Sequence, residues 1–305
     1  MFALYSDRYV IELPPHHIFP IQKYRLVREG LLADRILQPG DLLEPDLAHP
    51  RDVRLVHTAE YWERLTAGTL EPAAIRRIGL PWSESLVRRS RASVQGTLMA
   101  ARIAIREGIG INLAGGTHHA FADRGEGYCV LNDIAIAIRV LQRDAWMQRV
   151  AIVDCDVHQG NGTAAIFAGE SDVFTFSMHG ARNYPLVKVP GSLDIPLEDE
   201  TGDEEYLKEL QEAVPWLLES FRPGLVFYQA GVDPHERDRL GRLRLTHAGL
   251  RARDEYVLRA CRDAAVPVAV TLGGGYGHDL QDTVLAHCNT VRAARAVFDG
   301  TPPAG

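Results

Sequence analysis

Three polar residues at the end of an apolar run carry the strongest chemical signal in this chain. The stretch VAIVDCDVHQGNGT, Val150 to Thr163, opens as an apolar run and passes into Asp154, Asp156 and His158, each two residues from the next. On an extended backbone the three leave one face, with Cys155 and Val157 on the other. Neighbours in such a series stand about 6.6 Å apart and the outer pair about 13 Å, so two adjacent members can share an ion but three cannot easily do so. A carboxylate and an imidazole so placed, followed by the Gly160-Asn161-Gly162 turn, suit metal ligation, with the third carboxylate behind them. A solvated acidic loop after a strand would read the same way, so the stretch needs partners from elsewhere in the chain.

Asp233, after the run VFYQAG, can add a second carboxylate to Asp156 and His158. Two aspartates and one histidine leave a position open for water and substrate, as in catalytic zinc sites. The oxygen-rich set also admits ferrous iron, although intrinsic affinity favours zinc. Such a metal makes hydroxide near neutral pH and polarises a carbonyl. His118 and His119, adjacent on a glycine-rich turn, offer a general base and a general acid. Asp154 can orient one imidazole and Asn161 can accept from the other. Tyr276, presented by Gly273-Gly274-Gly275, can donate its hydroxyl to a developing oxyanion. Taken singly, GGTHH is also an ordinary turn, GGG a tight strand exit and Tyr276 a core residue.

Positioning these groups requires several strand ends at one edge. Apolar runs at Ile109 to Ala114, Val150 to Val153, Val173 to Phe176, Leu225 to Tyr228 and Val266 to Leu272 each pass into glycine, histidine, aspartate or tyrosine. Phe2 to Tyr5 reads as a further, edge strand, and the proline-rich Leu13 to Pro20 as a loop. Helical spacing marks Ile21 to Leu32, a helix capped by Thr58 and ending near Gly68, Ser83 to Glu107, Asp133 to Gln142 behind an Asn132 cap, Asp203 to Phe221, Thr246 to Ala264 and Leu280 to Val297. Strands alternating with helices imply right-handed crossovers and an α/β three-layer sandwich: a central, mostly parallel sheet with helices on both faces. Ligands of such sheets bind beyond the carboxyl ends of the strands. No repeat, low-complexity tract or linker divides the 305 residues, so a single domain is expected, with residues 301–305 as a frayed tail.

Composition sets the outer bounds. With 46% hydrophobic and 24% charged residues the chain is of ordinary globular type, and its net charge of −7 with no basic block argues against nucleic acid as partner. No stretch of 18 consecutive apolar residues and no leader pattern occur, so no membrane association and a cytoplasmic location are expected. Cys129, Cys155, Cys261 and Cys288 form no CxxC and signal neither a disulfide framework nor a thiolate zinc site. The oligomeric state is left open.

GGTHHAF, GYCVLNDIAIA, IVDCDVHQGNGT, FTFSMHG, YQAGVDPHERDRLG and LGGGYG, in this order and spacing, resemble the zinc-dependent histone deacetylase family from about residue 3 to 295. DVHQGNG, DRLG and the N-terminal FPIQKYRL look most like its class IV branch and bacterial relatives. The resemblance implies the arginase/deacetylase fold and metal-dependent hydrolysis of an acyl-amide, commonly on an acylated lysine. It implies Asp156, His158 and Asp233 as zinc ligands, His118 and His119 as the tandem histidines supported by Asp154 and Asn161, and Tyr276 as the oxyanion donor. Asn161 stands where class I members carry aspartate, so His119 is expected to protonate less readily than there. Gly127, Tyr128, Leu240 and Gly274 fall on the substrate channel, with Leu186 where the opposite wall is usually aromatic. By the same resemblance, Asp154, Asp156, His158, Ser177 and Met178 hold a potassium or sodium ion, and Phe167, Glu170 and Val173 form part of a second such site. Substrates consistent with this range from acyl-lysine to acetylpolyamines and other small N-acyl amines. An arginase-type dimanganese ureohydrolase is disfavoured by Asn161 and Val232, which stand where further ligands are expected. An inactive acyl-binding module is disfavoured because no ligand, histidine or tyrosine is missing.

Overall fold

Eight short strands form one sheet in a computed structural model that describes residues 1–299. The tail expected at 301–305 lies outside the described residues. In chain order the strands are β1 (Ala3–Leu4), β2 (Leu42–Leu43), β3 (Ile109–Asn112), β4 (Val150–Asp154), β5 (Val173–Gly180), β6 (Leu193–Leu197), β7 (Leu225–Gln229) and β8 (Val268–Thr271). Their spatial order is β2-β1-β3-β8-β7-β4-β5-β6, and every pairing is parallel. The sheet is therefore wholly rather than mostly parallel.

Both faces of the sheet are apolar, which is why its strands read as continuous rather than alternating apolar runs. Along β4, Ala151 and Val153 join one core, while Val150 and Ile152 join the other. The first core is closed by α1 (Lys23–Ala33), α8 (Asp203–Phe221), α9 (His247–Asp263) and α10 (Leu280–Phe298). The second is closed by α3 (Ala59–Ala67), α4 (Pro72–Ile78), α5 (Glu84–Glu107) and α6 (Asp133–Arg143). Helix starts follow side-chain caps: Ser83 accepts from Leu86 N at 3.0 Å, Asn132 from Ala135 N at 3.0 Å and Thr246 from Gly249 N at 3.1 Å.

Four departures from the sequence reading have physical causes. Phe2 to Tyr5 is not an edge, because the two-residue β2 pairs outside β1; so short a strand leaves no periodic signal. Strand β6 contains Pro196, tolerated because β6 pairs only with β5 and its far side needs no donor. The short helices α2 (Pro50–Val53), α4 and α7 (Asn161–Ile166) fall below the length at which apolar spacing is legible. Strand β4 ends at Asp154, so Asp156 and His158 stand on a turn and not on an extended backbone. Among the described residues no helix is long and apolar enough to cross a membrane, and the four cysteines are free and buried.

Candidate active site

Beyond β4, backbone donors fold the acidic stretch onto itself. Asp154 Oδ1 accepts from Asp156 N at 3.1 Å and Asp156 Oδ1 from His158 N at 3.0 Å. The turn brings Asp156 and His158 to one point in place of the wider spacing of a strand, with His158 Nδ1 3.0 Å from Asp156 Oδ1. Asp233, reached from β7, completes the set: its Oδ2 lies 3.1 Å from His158 Nδ1 and its Oδ1 accepts from Val157 N at 2.9 Å. One potential ligand atom from each of Asp156, His158 and Asp233 falls within 4.8 Å of the others, and all three residues are buried.

This donor set fits a divalent cation. Burial opposes charge on His158, yet its bonds to Asp156 and Asp233 outweigh burial and raise its pKa to about 10. Burial, with Asp156 alongside, raises Asp233 to about 7. Two carboxylates and an imidazole compete here for one proton, a charge demand that a metal ion meets by displacing it.

The tandem histidines follow β3 on a turn made by Gly115 and Gly116, at φ of 79° and 77°. A side chain at Gly116 would meet Gln229 Oε1 at 2.2 Å. Asp133, the first residue of α6, clamps the turn by accepting from Gly116 N at 3.0 Å and Thr117 N at 2.8 Å. His118 Nδ1 lies 2.7 Å from Asp154 Oδ2, His119 Nδ1 lies 2.7 Å from Asn161 Oδ1, and the two Nε2 atoms stand 3.1 Å apart. Their environments separate them. Burial disfavours charge on His118, but Asp154 and Asp156 prevail and raise its pKa above that of a free imidazole. Burial, then the neighbouring His118 and His158, hold His119 well below it.

Tyr276 reaches the same space from the glycine turn after β8. Gly274 N donates to Asp156 Oδ2 at 2.8 Å, and a side chain at Gly274 would meet Asp233 Oδ2 at 2.0 Å. Asp238 Oδ2 accepts from Tyr276 N at 2.6 Å. Burial beside Asp233 and Asp156 keeps the Tyr276 phenol protonated and able to donate. Two buried cations support the loops from beneath. Lys23 Nζ donates to Gly273 O at 3.0 Å, and Arg253 Nη1 donates to Gly231 O at 2.6 Å and Cys155 O at 3.1 Å.

A channel of about 340 Å³ leads to His119, His158 and Tyr276, walled by Gly127, Tyr128, Tyr184 and Leu240. Gly127 and Tyr128, at φ of 55° and 65°, are the central pair of a tight turn closed by reciprocal Glu126–Cys129 backbone bonds of 2.9 Å. A smaller chamber of about 80 Å³ opens on the same histidines and on Gly274. Leu186 is a correction: it is 90% exposed and lines neither space. Tyr184 supplies the aromatic wall instead, its ring centroid 5.0 Å from that of His119, because the loop turns outward after Pro185.

The residues assigned to monovalent cations are distributed as follows. Ser177 and Met178 lie on β5, with Asp154 paired to Ser177 across β4 and β5. Ser177 Oγ lies 3.0 Å from His179 Nδ1. Phe167 and Glu170 precede Val173 at the start of β5; the Glu170 carboxylate pairs with Arg139, whose guanidinium lies 5.0 Å from the Phe167 ring centroid.

The histone deacetylase domain matches residues 17–291. This chain belongs to the histone deacetylase family. Relatives in the family include an uncharacterized protein of Picosynechococcus sp., 45% identical over 97% of this chain and 99% of its own length. Histone deacetylase 2 of Arabidopsis thaliana is 31% identical over 90% of this chain and 74% of its own. Acetoin utilization protein AcuC of Staphylococcus aureus is 29% identical over 91% and 77%. The crystal structure of the HDA15 HD domain superposes with a TM-score of 0.76, covering 98% of this chain and 96% of that one. At 21% identity it shows the shared fold.

Several residues that build the site escaped the sequence reading. Asp133 and Asp238 lie inside the quoted family motifs, and a buried acid opening the apolar helix DIAIAI was a usable signal for the first. Lys23 likewise lies inside the quoted FPIQKYRL, whereas Arg253, Glu126 and Tyr184 had no signal, since their partners are remote in sequence.

Proposed function

We infer that this member of the histone deacetylase family is a zinc-dependent deacylase acting on N-acylated amines, foremost acyl-lysine. The observation that carries the reading is the convergence of a buried Asp156–His158–Asp233 set with two differently tuned imidazoles and a protonated tyrosine, of which His158, His119 and Tyr276 face one channel. Asp156, His158 and Asp233 would hold the ion. When bound, it supplies the Lewis acidity that activates water and polarises the acyl carbonyl. His119, held neutral, takes a proton at Nε2 and returns it to the departing amine. His118 keeps its proton against Asp154 and adds positive charge beside the reacting carbonyl. Tyr276 donates its hydroxyl to the acyl oxygen as charge develops there.

Arg76 and Arg77 stand exposed at the channel mouth, with no carboxylate paired to either among the described residues. They would repel the cationic tail of an acetylpolyamine, which favours acyl-lysine over that alternative. The chamber of about 80 Å³ has room for roughly five waters, which favours short acyl groups. A single metal-holding set among the described residues supports one ion in preference to a dimanganese pair. The proposal extends to one catalytic domain over residues 1–305, a cytoplasmic location, a class IV-like site marked by Asn161, and potassium or sodium near Ser177 and Phe167. The test is a panel of N-acyl substrates varying acyl length and amine, assayed with zinc and a hydroxamate inhibitor. Hydrolysis of acetyl-lysine peptides in preference to acetylspermidine supports the reading, and hydrolysis of none by zinc-loaded protein overturns it.

A further inference from the structure

One carboxylate beside the channel belongs neither to the metal set nor to a histidine. The Glu126 side chain is 13% exposed, with Oε2 3.4 Å from Arg124 Nε. Its other oxygen, Oε1, accepts twice: from Asn161 Nδ2 at 3.0 Å and from the Tyr184 hydroxyl at 2.6 Å. The backbone beneath cannot easily drift, because Glu126 and Cys129 exchange two hydrogen bonds and Gly127 N and Tyr128 N donate to the Arg77 and Ile78 carbonyls.

An ionised carboxylate only accepts, whereas a primary amide donates at nitrogen and accepts at oxygen. Glu126 therefore sets which way Asn161 faces. With Nδ2 directed at Glu126, Oδ1 faces His119 Nδ1 at 2.7 Å and demands a donor there. Neutral His119 must then carry its proton on Nδ1 and leave the Nε2 lone pair toward the reaction centre. Turning the amide over would oppose Oδ1 to a carboxylate and present a donor to His119 Nδ1, which would move the proton to Nε2. An aspartate at position 161 would only accept, on both of its oxygens, and would need no such device; the amide here does.

We propose that Glu126 is a positioning residue that fixes the His119 tautomer through Asn161 and, with the same oxygen, holds the Tyr184 wall of the channel. The kinetic part rests on the deacylase reading; the tautomer does not. Glutamine at 126 retains an acceptor for both partners, while leucine retains the bulk and loses the acceptor.

The test is long-range proton–nitrogen NMR of zinc-loaded protein labelled with nitrogen-15 histidine, combined with kinetics on an acetyl-lysine peptide. In the unsubstituted protein and in Glu126→Gln, His119 is expected to be protonated at Nδ1, with kcat within about threefold of one another. Glu126→Leu is expected to shift His119 toward the Nε2 tautomer and to lower kcat about tenfold or more, short of the ~10²–10⁴-fold contribution of a general base. Tyr184→Phe, which loses only the wall bond, should raise KM and leave the tautomer unchanged. Adding Glu126→Leu to Asn161→Ala should lower kcat no further and raise KM only as Tyr184→Phe does. Nδ1 and Nε2 assignments can overturn the idea without any variant: an Nε2-protonated His119 in the unsubstituted protein is incompatible with it. So is an unchanged tautomer and kcat in Glu126→Leu, or a Glu126→Gln variant as impaired as Glu126→Leu with its tautomer intact. If Glu126→Leu does not fold, the spectra of the other two proteins decide. If no substrate turns over, the deacylase reading fails while the spectra still test the tautomer.

Discussion

The floor and the mouth of this site are held by different means. At the floor, Asp154, Asp156, His158, Asp233 and Tyr276 leave the ends of β4, β7 and β8, all buried, and backbone donors or acceptors restrain each loop. At the mouth, Tyr128 is half-buried, Tyr184 is 38% exposed, and Arg76 and Arg77 project from a helix of two turns. Strand ends locked by a two-faced core give precision to reacting groups, while turns and short helices give a wall that different substrates can use. Substitutions at the floor should therefore act on the chemical step, and those at the mouth on recognition.

The largest expected effect is at the metal set. Asp233→Ala, or chelation of the native protein, should abolish turnover by ~10³-fold or more, since Lewis-acid stabilisation of several kcal/mol is lost. Zinc should restore only the chelated protein, and metal analysis should find one tightly bound ion per chain. Two tightly bound manganese ions would contradict this account of the floor.

Acid should strain the layer under the floor next. His57 is buried and its Nε2 accepts from Asn132 N at 3.0 Å, supporting the start of α6. Burial lowers its pKa from 6.5 to about 4. The unfolded chain thus binds a proton between those values that the folded chain refuses. The stability held above pH 6.5 falls as pH drops toward 4, by about 3 kcal/mol at the limit. Urea unfolding at neutral and acid pH should show a smaller loss for His57→Gln than for the unsubstituted protein. Equal losses would remove His57 from the explanation.

Tyr276→Phe should lower kcat by roughly 10²-fold with little change in KM, as for removal of one oxyanion donor. Turnover at the original rate would show that the floor does not use this hydroxyl.

The smallest effects separate two neighbours at the mouth. Tyr184→Ala removes a ring set edge-on at 88° to His119 and should raise KM several-fold. Leu186→Ala should change neither constant measurably, given its 90% exposure. The reverse ranking would restore Leu186 as the wall.

How much of this was legible before the fold was seen follows from the range of the interactions concerned. Apolar runs, amphipathic helices and the caps Thr58 and Asn132 are set by residues within one or two turns, so the central strands, the longer helices and the reactive edge could be read directly, whereas the two-residue β2 and the proline-bearing β6 could not. Asp156, His158 and Asp233 were legible by residue type, because polar groups placed just beyond buried strands need a reason to be there. Their distances were not, because the turn after Asp154 is also fixed by acceptors, Gln229 O for Cys155 N and Asp233 Oδ1 for Val157 N, that come within reach only when β4 and β7 are side by side. The same limit hid Lys23 beneath Gly273, Arg253 behind Gly231, and Tyr184 in the place expected of Leu186. It also hid the chain from His119 through Asn161 to Glu126 and Tyr184, whose members come from separate loops. Local burial periodicity lies in the sequence itself, whereas the direction of a hydrogen bond between distant loops exists only once packing has brought them together.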